Sequence, residues 1–374
     1  MNSENQAAEV FPPGEFIREE LEARGWTQAD LAAIIKSSAR LVNEIVAGKR
    51  SVTPETAHRL GQAFGTSAEL WLGLESDYQL AKSDAPDKSI AKRAQLYDRA
   101  PITEMVRRGW IERSGDVDYL DRQVRAFLRI KSLADPMKLQ GVAARAGQGL
   151  TTAQEAWFCR ARQMASAVTA EAFSMKKLDS ALADMRGLLQ DPESVRHIPR
   201  ILAGAGVRFV VIEHTKGSRI DGAALWLDKK TPLVALSMRH DKLDSFWHTL
   251  IHELGHIRLK HTSLDVNLVG PGADQELQSE AEREANLFAV EFLVPQDALS
   301  DFVARVHPLY SKVKVQGFAA LHEVHPSLVL GQLKHRGKIR WQNFAPLHPR
   351  VRGIMTEAGL CDGWGQQLPI WRIE

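Results

Sequence analysis

Apolar and polar residues follow the period of short amphipathic helices in the first part of the chain. Between residues 12 and 80, apolar positions recur every three or four residues, as on one face of an α-helix. Thr27 is a typical N-cap, and Thr53 precedes Pro54 at a first helical position. The pattern predicts five helices, over residues 13–25, 27–36, 38–49, 53–65 and 67–80.

A polar, charged run over residues 81–93 predicts a linker. Helical periodicity then continues from about residue 100 to residue 197. The pattern changes at Gly206, after which short segments rich in valine and bounded by Gly, Asp and Pro predict three strands. These segments are residues 207–214, 223–228 and 232–238.

Helical periodicity returns over residues 244–260 and 276–294. The predicted fold class is mainly α with a small β-sheet, that is, α+β. Three regions are expected: an all-α domain over residues 1–80, a helical connector over residues 81–198, and an α+β domain over residues 199–374.

Composition is that of a soluble globular protein, with 44% hydrophobic and 25% charged residues among 374. The first fifteen residues lack the basic start and apolar run of a signal peptide, and no apolar run approaches the roughly 20 residues that span a bilayer. Cys159 and Cys361 are far apart, so we expect free thiols in a reducing cytoplasm. We therefore expect a cytoplasmic protein with no membrane partner.

The segment HELGH, residues 252–256, carries candidate metal chemistry. His252 and His256 are four residues apart, which places both imidazoles on one face of a helix at the spacing of two zinc ligands. Glu253 is placed to take a proton from water at the metal. With 13 histidines in the chain, the alternative is two buried histidines beside a surface glutamate, and five residues do not decide between them.

A catalytic zinc site needs a third protein ligand and an open position. The candidate carboxylates in the following helical segment are Glu280, Glu282 and Glu284. Asn286 lies one turn after Glu282, where its amide would orient a ligating carboxylate. The alternative is a solvated acidic helix face, and the spacing alone leaves this open.

These segments resemble a known family. HELGHIRLKH followed by EREANLFAVEFLVP is similar to the ImmA/IrrE metallopeptidases, over roughly residues 206–345. The resemblance implies a zincin-like metallopeptidase domain in which His252, His256 and Glu282 are metal ligands and Glu253 is catalytic. It implies Zn²⁺ as cofactor, with another divalent metal such as Mn²⁺ left open, and a specific repressor or antitoxin as substrate.

A hydrolase of this kind also needs a donor for the developing oxyanion. The candidates are His261, Arg239, Tyr310 and His325, and the sequence selects none of them. His261 is expected off the ligand face because it lies five residues after His256.

The predicted helices 27–36 and 38–49, joined by a tight turn, have the proportions of a helix-turn-helix. They resemble the XRE, lambda repressor-like family, and residues 48–80 resemble its HigA-type antitoxin subset. The resemblance implies that the second helix enters the major groove. It implies six DNA-contacting residues: Gln28, Ser38, Arg40, Asn43, Lys49 and Arg50.

The charge distribution supports DNA binding only over one short segment of this region. Residues 1–74 contain seven Lys or Arg against ten Asp or Glu, whereas residues 36–50 contain four basic residues against Glu44 alone. A basic strip of this kind would bind DNA with strong salt dependence. The alternative is a protein–protein module that kept the fold but not the DNA contact.

Two functions remain open. The first is a DNA-binding transcriptional regulator with a zinc-dependent, substrate-specific endopeptidase domain that cleaves a repressor or antitoxin and regulates its own operon. The second is a HigA-like antitoxin or repressor, with a cognate toxin as partner, whose metal domain binds without cutting. A purely structural zinc is the weakest alternative, because such sites are usually closed by four ligands. Operator DNA and a second copy of the chain are expected partners in both.

Overall fold

The computed structural model describes residues 10–83, 87–137, 150–261 and 280–366, and the backbone of the short strands Val142–Ala143 and Leu264–Asp265. The chain divides into two compact units, Met1–Lys88 and Ser89–Glu374. Within the described ranges, no helix combines the length and apolar character needed to cross a membrane.

Over its described residues, 10–83 and 87–88, the first unit is a bundle of five short helices, at the places the sequence predicts. They are α1 (Pro13–Arg24), α2 (Gln28–Ile34), α3 (Ala39–Val46), α4 (Pro54–Phe64) and α5 (Ala68–Lys82). Four of them begin at a Ser or Thr whose side chain accepts a backbone N–H three residues later: Thr27, Ser38, Thr53 and Ser67. These caps satisfy N–H groups that a helix start leaves unpaired, which explains where each helix begins.

The core of the first unit comes from the apolar faces of these helices. Leu31, Ile45, Leu60 and Trp71 are at most 3% exposed, and each comes from a different helix. The unit therefore has a hydrophobic core of its own.

The second unit begins with a helical half. Its elements are α6 (Lys88–Arg99), α7 (Ile102–Arg107), α8 (Val117–Leu128), β1 (Val142–Ala143), α9 (Thr152–Ala167), α10 (Met175–Arg186), a 3₁₀ helix (Pro192–His197) and α11 (Ile198–Gly204). The prediction of a linker over residues 81–93 is wrong at both ends. Helix α5 continues to Lys82, inside the predicted linker. Helix α6 already begins at Lys88, because its third turn carries Leu96, which is fully buried in the core.

The sheet contains the three predicted strands and one further strand. Its members are β2 (Arg208–Ile212), β3 (Gly222–Trp226), β4 (Pro232–Leu236) and β6 (Cys361–Asp362), while β5 (Leu264–Asp265) pairs with β1. The strand order is β3-β4-β2-β6, with β3 antiparallel to β4 and the other pairs parallel.

The remaining helices follow the sheet. They are α12 (Leu243–Arg258), α13 (Glu280–Leu293), α14 (Gln296–Val306), α15 (Lys312–Leu321), α16 (Pro326–His335), a 3₁₀ helix (Ala345–Leu347) and α17 (Arg352–Ala358). Helix α12 packs against β3, β4, α13 and α16. The predicted α+β class, mainly helical with a small mixed sheet, is confirmed.

The helical half and the sheet share one hydrophobic core. Trp157 of α9 is fully buried and donates its indole N–H to the carbonyl of Ile212 at 3.2 Å. Arg160, one turn later, forms a buried ion pair with Asp362 of β6. The described helices between residues 89 and 198 are therefore packed into the same unit as the sheet.

Candidate metal centre and helix-turn-helix surface

Helix α12 places the HELGH side chains inside the second unit. His252, Glu253 and His256 are 3%, 6% and 3% exposed. The helix is apolar on most of its surface, with Trp247 and Leu250 fully buried, so it is enclosed on several sides and carries the motif inward. The two Nε2 atoms of His252 and His256 lie 3.1 Å apart.

Helix α13 brings one carboxylate to these imidazoles. Glu282 Oε2 lies 3.2 Å from His252 Nε2, and Glu282 Oε1 lies 3.3 Å from His256 Nε2. Among the described residues these three form the group able to hold a metal ion. A tetrahedral ion with bonds of about 2.0–2.1 Å separates its donor atoms by about 3.3–3.4 Å, so the three donors fit a divalent metal such as zinc.

Close approach of the two helices depends on a small residue. A side chain at Gly255 would start 3.0 Å from the ring of Phe288 and 3.5 Å from the Cα of Ala285. Ala285 and Ala289 are fully buried on the facing side of α13. The stripe of small residues lets α13 lie close enough for Glu282 to reach α12.

Burial and mutual contact shift the pKa values of these groups. Burial opposes ionisation of Glu282, but hydrogen bonds with His252 and His256 outweigh it and lower its pKa to about 2. Burial lowers the pKa of His252, but its hydrogen bond to Glu282 and the negative charge of Glu253 raise it by more, so the pKa is raised overall. The carboxylate is thus ionised and available as a ligand.

The carboxylate of Glu253 lies against strand β3 and is close enough to His252, His256 and Glu282 to interact with their charges. A side chain at Gly222 of β3 would lie 3.1 Å from Glu253 Oε1, so glycine there leaves room for the carboxylate. The backbone of Ala224 hydrogen-bonds to it. Burial raises the pKa of Glu253, against the opposing effect of the two histidines, and a raised pKa suits a base that exchanges protons near neutrality.

The helix-turn-helix surface lies on α2 and α3. Val42, Ile45 and Val46 hold one face of α3 in the core, and the opposite face is exposed at Arg40 and Asn43. Ser38 is exposed and N-caps α3, its hydroxyl accepting the N–H of Leu41 at 3.1 Å.

The other predicted contacts lie around the same face. Gln28 is the first residue of α2, and Lys49 and Arg50 are exposed just after α3. Glu44 is ion-paired with Arg40 at 2.8 Å and with Arg50 at 3.3 Å. Two of the predicted cationic contacts thus already have an internal anionic partner.

Two family models match the chain in these two places. One is described as helix-turn-helix and matches residues 17–71, and the other is described as an IrrE N-terminal-like domain and matches residues 207–330. Over residues 17–71 the chain belongs to the helix-turn-helix family, and over residues 207–330 it is similar to the IrrE N-terminal-like family. It carries a helix-turn-helix domain of the DNA-binding regulator type and an IrrE-like domain of the metallopeptidase type.

Three relatives are similar to about a fifth of the chain. Virulence-associated protein I of Dichelobacter nodosus is 38% identical over 79 residues, 21% of this chain and 73% of that protein. The uncharacterised HTH-type transcriptional regulator YddM of Escherichia coli (strain K12) is 28% identical over 72 residues, 19% of this chain and 77% of that protein. The solved structure of Pseudomonas aeruginosa antitoxin HigA with the higBA promoter is 42% identical and covers 20% of this chain and 80% of its own, with a TM-score of 0.19.

The IrrE-like domain contains a histidine–carboxylate pair that the sequence analysis did not select. His261 Nδ1 lies 3.0 Å from His256 Nδ1, and His261 Nε2 lies 2.9 Å from Glu284 Oε2. The expectation that His261 lies off the ligand face is wrong because α12 ends before it. Lys260 adopts a left-handed conformation (φ 58°), and the N–H of His261 returns to the carbonyl of His256 at 3.0 Å. A glycine or asparagine at position 260 would have signalled this reversal, but a lysine does not.

Of the remaining predicted site residues, one contacts a metal-site histidine and three have other partners. Asn286 is a hydrogen-bonding partner of His252. Arg239 makes a two-bond ion pair with Asp221, and His325 caps α16 through the N–H of Ser327 at 3.1 Å. Tyr310 lies beside His307, with its hydroxyl 3.5 Å from Nδ1.

Proposed function

We propose that the chain is a DNA-binding transcriptional regulator whose IrrE-like domain is a metal-dependent endopeptidase for one specific repressor or antitoxin. The observation that carries the enzymatic part is the buried triangle of His252, His256 and Glu282 beside Glu253. The match of residues 17–71 to the helix-turn-helix family supports the regulatory part.

Each residue of the centre has a distinct role in this proposal. His252, His256 and Glu282 hold a divalent ion, Zn²⁺ by their donor chemistry, with Mn²⁺ as the alternative that a nitrogen and oxygen donor set also admits. A bound ion would supply Lewis-acid polarisation of the scissile carbonyl. Glu253 removes a proton from the attacking water and passes it to the departing amine, for which its raised pKa suits it.

Two hydrogen-bonded partners orient the ligands. Asn286 lies at His252, and His261 holds the second ring nitrogen of His256. The partner at Nδ1 of His256 fixes the tautomer and orientation of that ring, so that its Nε2 is presented as acceptor to the ion. Burial of the whole group excludes bulk water and strengthens its electrostatic interactions.

In the regulatory part, α3 enters the major groove of the operator. Arg40 and Asn43 read base edges, and Ser38 lies at the same surface. Gln28, Lys49 and Arg50 contact the phosphate backbone, which positions the domain without reading sequence. A homodimer in the cytoplasm would read two half-sites of the promoter of its own operon.

We assign the three regions of the chain separate tasks within this function. Residues 1–80 bind the operator, residues 199–374 carry the catalytic centre, and residues 81–198 connect the two while completing the core around the sheet. The shared core of the second unit supports the last assignment.

A cleavage assay tests the enzymatic part. Purified protein loaded with zinc is incubated with each repressor or antitoxin encoded near its gene, beside the variant Glu253→Gln, which keeps the ligands. We expect wild type to cut one of these proteins at one bond, and the variant to lose about 10²–10⁴-fold in rate. Identical fragment patterns from wild type and Glu253→Gln on every candidate would contradict proteolysis.

A second candidate function is a HigA-like antitoxin or repressor whose metal domain binds or senses without cutting. The resemblance of residues 48–80 to HigA-type antitoxins favours it. In that case the double variant Arg40→Ala, Asn43→Ala would abolish binding to the promoter, and Glu253→Gln would leave every phenotype unchanged. A small toxin-like reading frame beside the gene would favour this alternative.

A further inference from the structure

A second cluster of chemistry-bearing side chains lines a cavity of about 240 Å³ in the IrrE-like unit. The cavity lies between α12, α13 and α16, and its lining residues do not include the three metal-site donors or Glu253. Its floor is apolar, with Leu236, Phe246 and Leu328 among the lining residues. A volume of this size accommodates a small organic molecule.

The cavity contains a buried lysine joined to a histidine–carboxylate pair. Lys334 is 4% exposed, and its Nζ lies 2.6 Å from His348 Nε2. His348 Nδ1 lies 3.0 Å from Asp244 Oδ1. The amine therefore donates to the imidazole, whose other nitrogen donates to the carboxylate.

Three elements fix this arrangement. Lys334 is in the last turn of α16, Asp244 is in the first turn of α12, and His348 follows the 3₁₀ helix Ala345–Leu347. A side chain at Gly331 would begin 3.0 Å from Asp244 Oδ2, so glycine in α16 allows the carboxylate to lie under the lysine. The fold thus brings together the hydrogen-bonded chain of Lys334, His348 and Asp244, although Asp244 and His348 are about 100 residues apart in sequence.

The surroundings lower the pKa of the Lys334 amine. Burial lowers the pKa of Lys334, against the charge of Asp244, which raises it, while Lys242 lowers it further. A desolvated lysine with a lowered pKa is a nucleophile toward carbonyl carbons. His348, held by the ionised Asp244, is the proton acceptor that frees the amine's electron pair.

The cavity mouth favours an anion. Lys242 and Arg336 are exposed there. The hydrogen-bond partners of Arg336 are the uncharged Ser300 and Gln296, so its charge is not neutralised by them. Trp341, also at the mouth, is 44% exposed and offers a flat apolar surface.

We propose that Lys334 is a reactive lysine that forms an imine with a small aldehyde or ketone carrying an anionic group, bound in this cavity. The amine electron pair adds to the carbonyl carbon, and a proton passes from nitrogen to the carbonyl oxygen through His348. The resulting carbinolamine then loses one water to give the imine. Atoms and electrons balance without an oxidant or reductant. This site is separate from the metal centre, and its occupancy does not require proteolysis.

Trapping with pyridoxal 5′-phosphate, an aromatic aldehyde with a phosphate group, tests the proposal. The full chain is incubated with a small excess of this probe near neutral pH, the imine is reduced with borohydride, and modified lysines are quantified by peptide mass spectrometry. Lys242 is the internal control, because it lies at the same mouth but is exposed. We expect Lys334 to be labelled at least about tenfold faster than Lys242.

Two variants and a second probe complete the experiment. His348→Gln should slow labelling of Lys334 by about tenfold or more while Lys242 is labelled as before, which also reports that the fold is intact. Lys334→Arg should lose the adduct, and pyridoxal without its phosphate should label Lys334 more slowly. Equal labelling of Lys334 and Lys242 in wild type, or labelling of Lys334 that His348→Gln leaves unchanged, would overturn the proposal.

Discussion

At the scale of single residues, the contact between His261 and His256 extends the metal centre beyond its ligands. An imidazole that holds the second nitrogen of a ligating histidine fixes its orientation and raises its basicity. Glu284, which is bound to the other nitrogen of His261, is 52% exposed, so solvent screens its effect. The carboxylate should therefore contribute less than the imidazole.

This order of effects can be measured. We expect His261→Ala to weaken zinc affinity by about 10–100-fold, and Glu284→Gln to weaken it by a few-fold to about tenfold. Glu280→Gln, which changes a neighbouring exposed carboxylate of the same helix, should have no effect. The measurement is competition with a fluorescent zinc chelator. Zinc affinity equal to that of wild type in His261→Ala would show that the pair of His261 and Glu284 does not act on the metal.

Sequence reasoning reaches some of these residues and not others. The spacing of His252 and His256 and the helix period explain why both Nε2 atoms meet. Glu282 comes from another helix, and only the family resemblance selected it from among three glutamates. The contact of His261 with His256 was not predicted, because the helical period was extended past the point where the chain reverses at Lys260.

At the scale of elements, helix α3, which is proposed to enter the major groove, carries an anionic side chain that competes with DNA for its cations. Glu44 is paired with Arg40 and Arg50, two of the cations proposed to contact the operator. These cations must leave Glu44 when they contact phosphate or bases. Because exposed ion pairs are worth about 0–1 kcal/mol, the competition should be modest.

Glu44→Gln should therefore raise affinity for the promoter by about two- to fivefold, because the cations no longer have to break their ion pairs with Glu44 to contact DNA. It should also steepen the fall of affinity with salt, because one anion fewer opposes the phosphates. Fluorescence anisotropy with the promoter duplex at several salt concentrations measures both. Glu55→Gln, which removes the partner of Arg59 on α4, is the matched control. Lower affinity in Glu44→Gln would show that Glu44 itself contacts the DNA favourably.

The close contact between α12 and α13 predicts the effect of a larger side chain at Gly255. Gly255→Leu would force its side chain against Phe288 and Ala285. We expect the free energy of unfolding to fall by about 1–3 kcal/mol, and zinc affinity to fall because α13 carries Glu282. Gly317→Leu in α15, where a side chain meets nothing within 4 Å, is the control. Urea unfolding and zinc titration of both variants check this, and equal behaviour of the two would contradict it.

Most helices and three strands were predicted, because each has a clear period and many begin at a side-chain cap. Strand β6 was not, because Cys361 and Asp362 are too few to show alternation and their partner strand β2 lies about 150 residues earlier. The pairing depends on tertiary structure and leaves no local signal.

At the scale of the whole molecule, the chain is built as two units, and contacts between residues far apart in sequence stabilise the second. The ion pair of Arg160 and Asp362 has side chains only 2% and 1% exposed, and Trp110 donates its indole N–H to the same carboxylate at 3.1 Å. These contacts join α9 and the segment after α7 to the last strand of the sheet.

Removal of one member of this pair leaves a buried charge without compensation. Asp362→Ala should lower the free energy of unfolding of the second unit by about 3–5 kcal/mol. Asp179→Ala, which removes the exposed ion pair with Arg258, should change it by about 0–1 kcal/mol. Urea unfolding followed by tryptophan fluorescence distinguishes them. A loss below about 1 kcal/mol in Asp362→Ala would contradict the role given to the pair.

A helical connector was predicted over residues 81–198, and its amino-acid pattern does not reveal that the described helices of this region share a core with the sheet. Its helices are amphipathic, and periodicity tells which face is apolar but not which partner covers it. Trp157 and Phe158 are both buried, although they are adjacent in one helix, because the sheet and the other helices enclose α9 from several sides.

The proposed function depends above all on His252, His256 and Glu282 together holding one divalent metal ion. The most direct measurement is equilibrium dialysis against Zn²⁺ with elemental analysis, on wild type, Glu282→Ala and the control Glu280→Ala. We expect about one zinc per chain with equal affinity in wild type and Glu280→Ala, and affinity at least about tenfold weaker in Glu282→Ala. Stoichiometric zinc held by Glu282→Ala with wild-type affinity would contradict the claim.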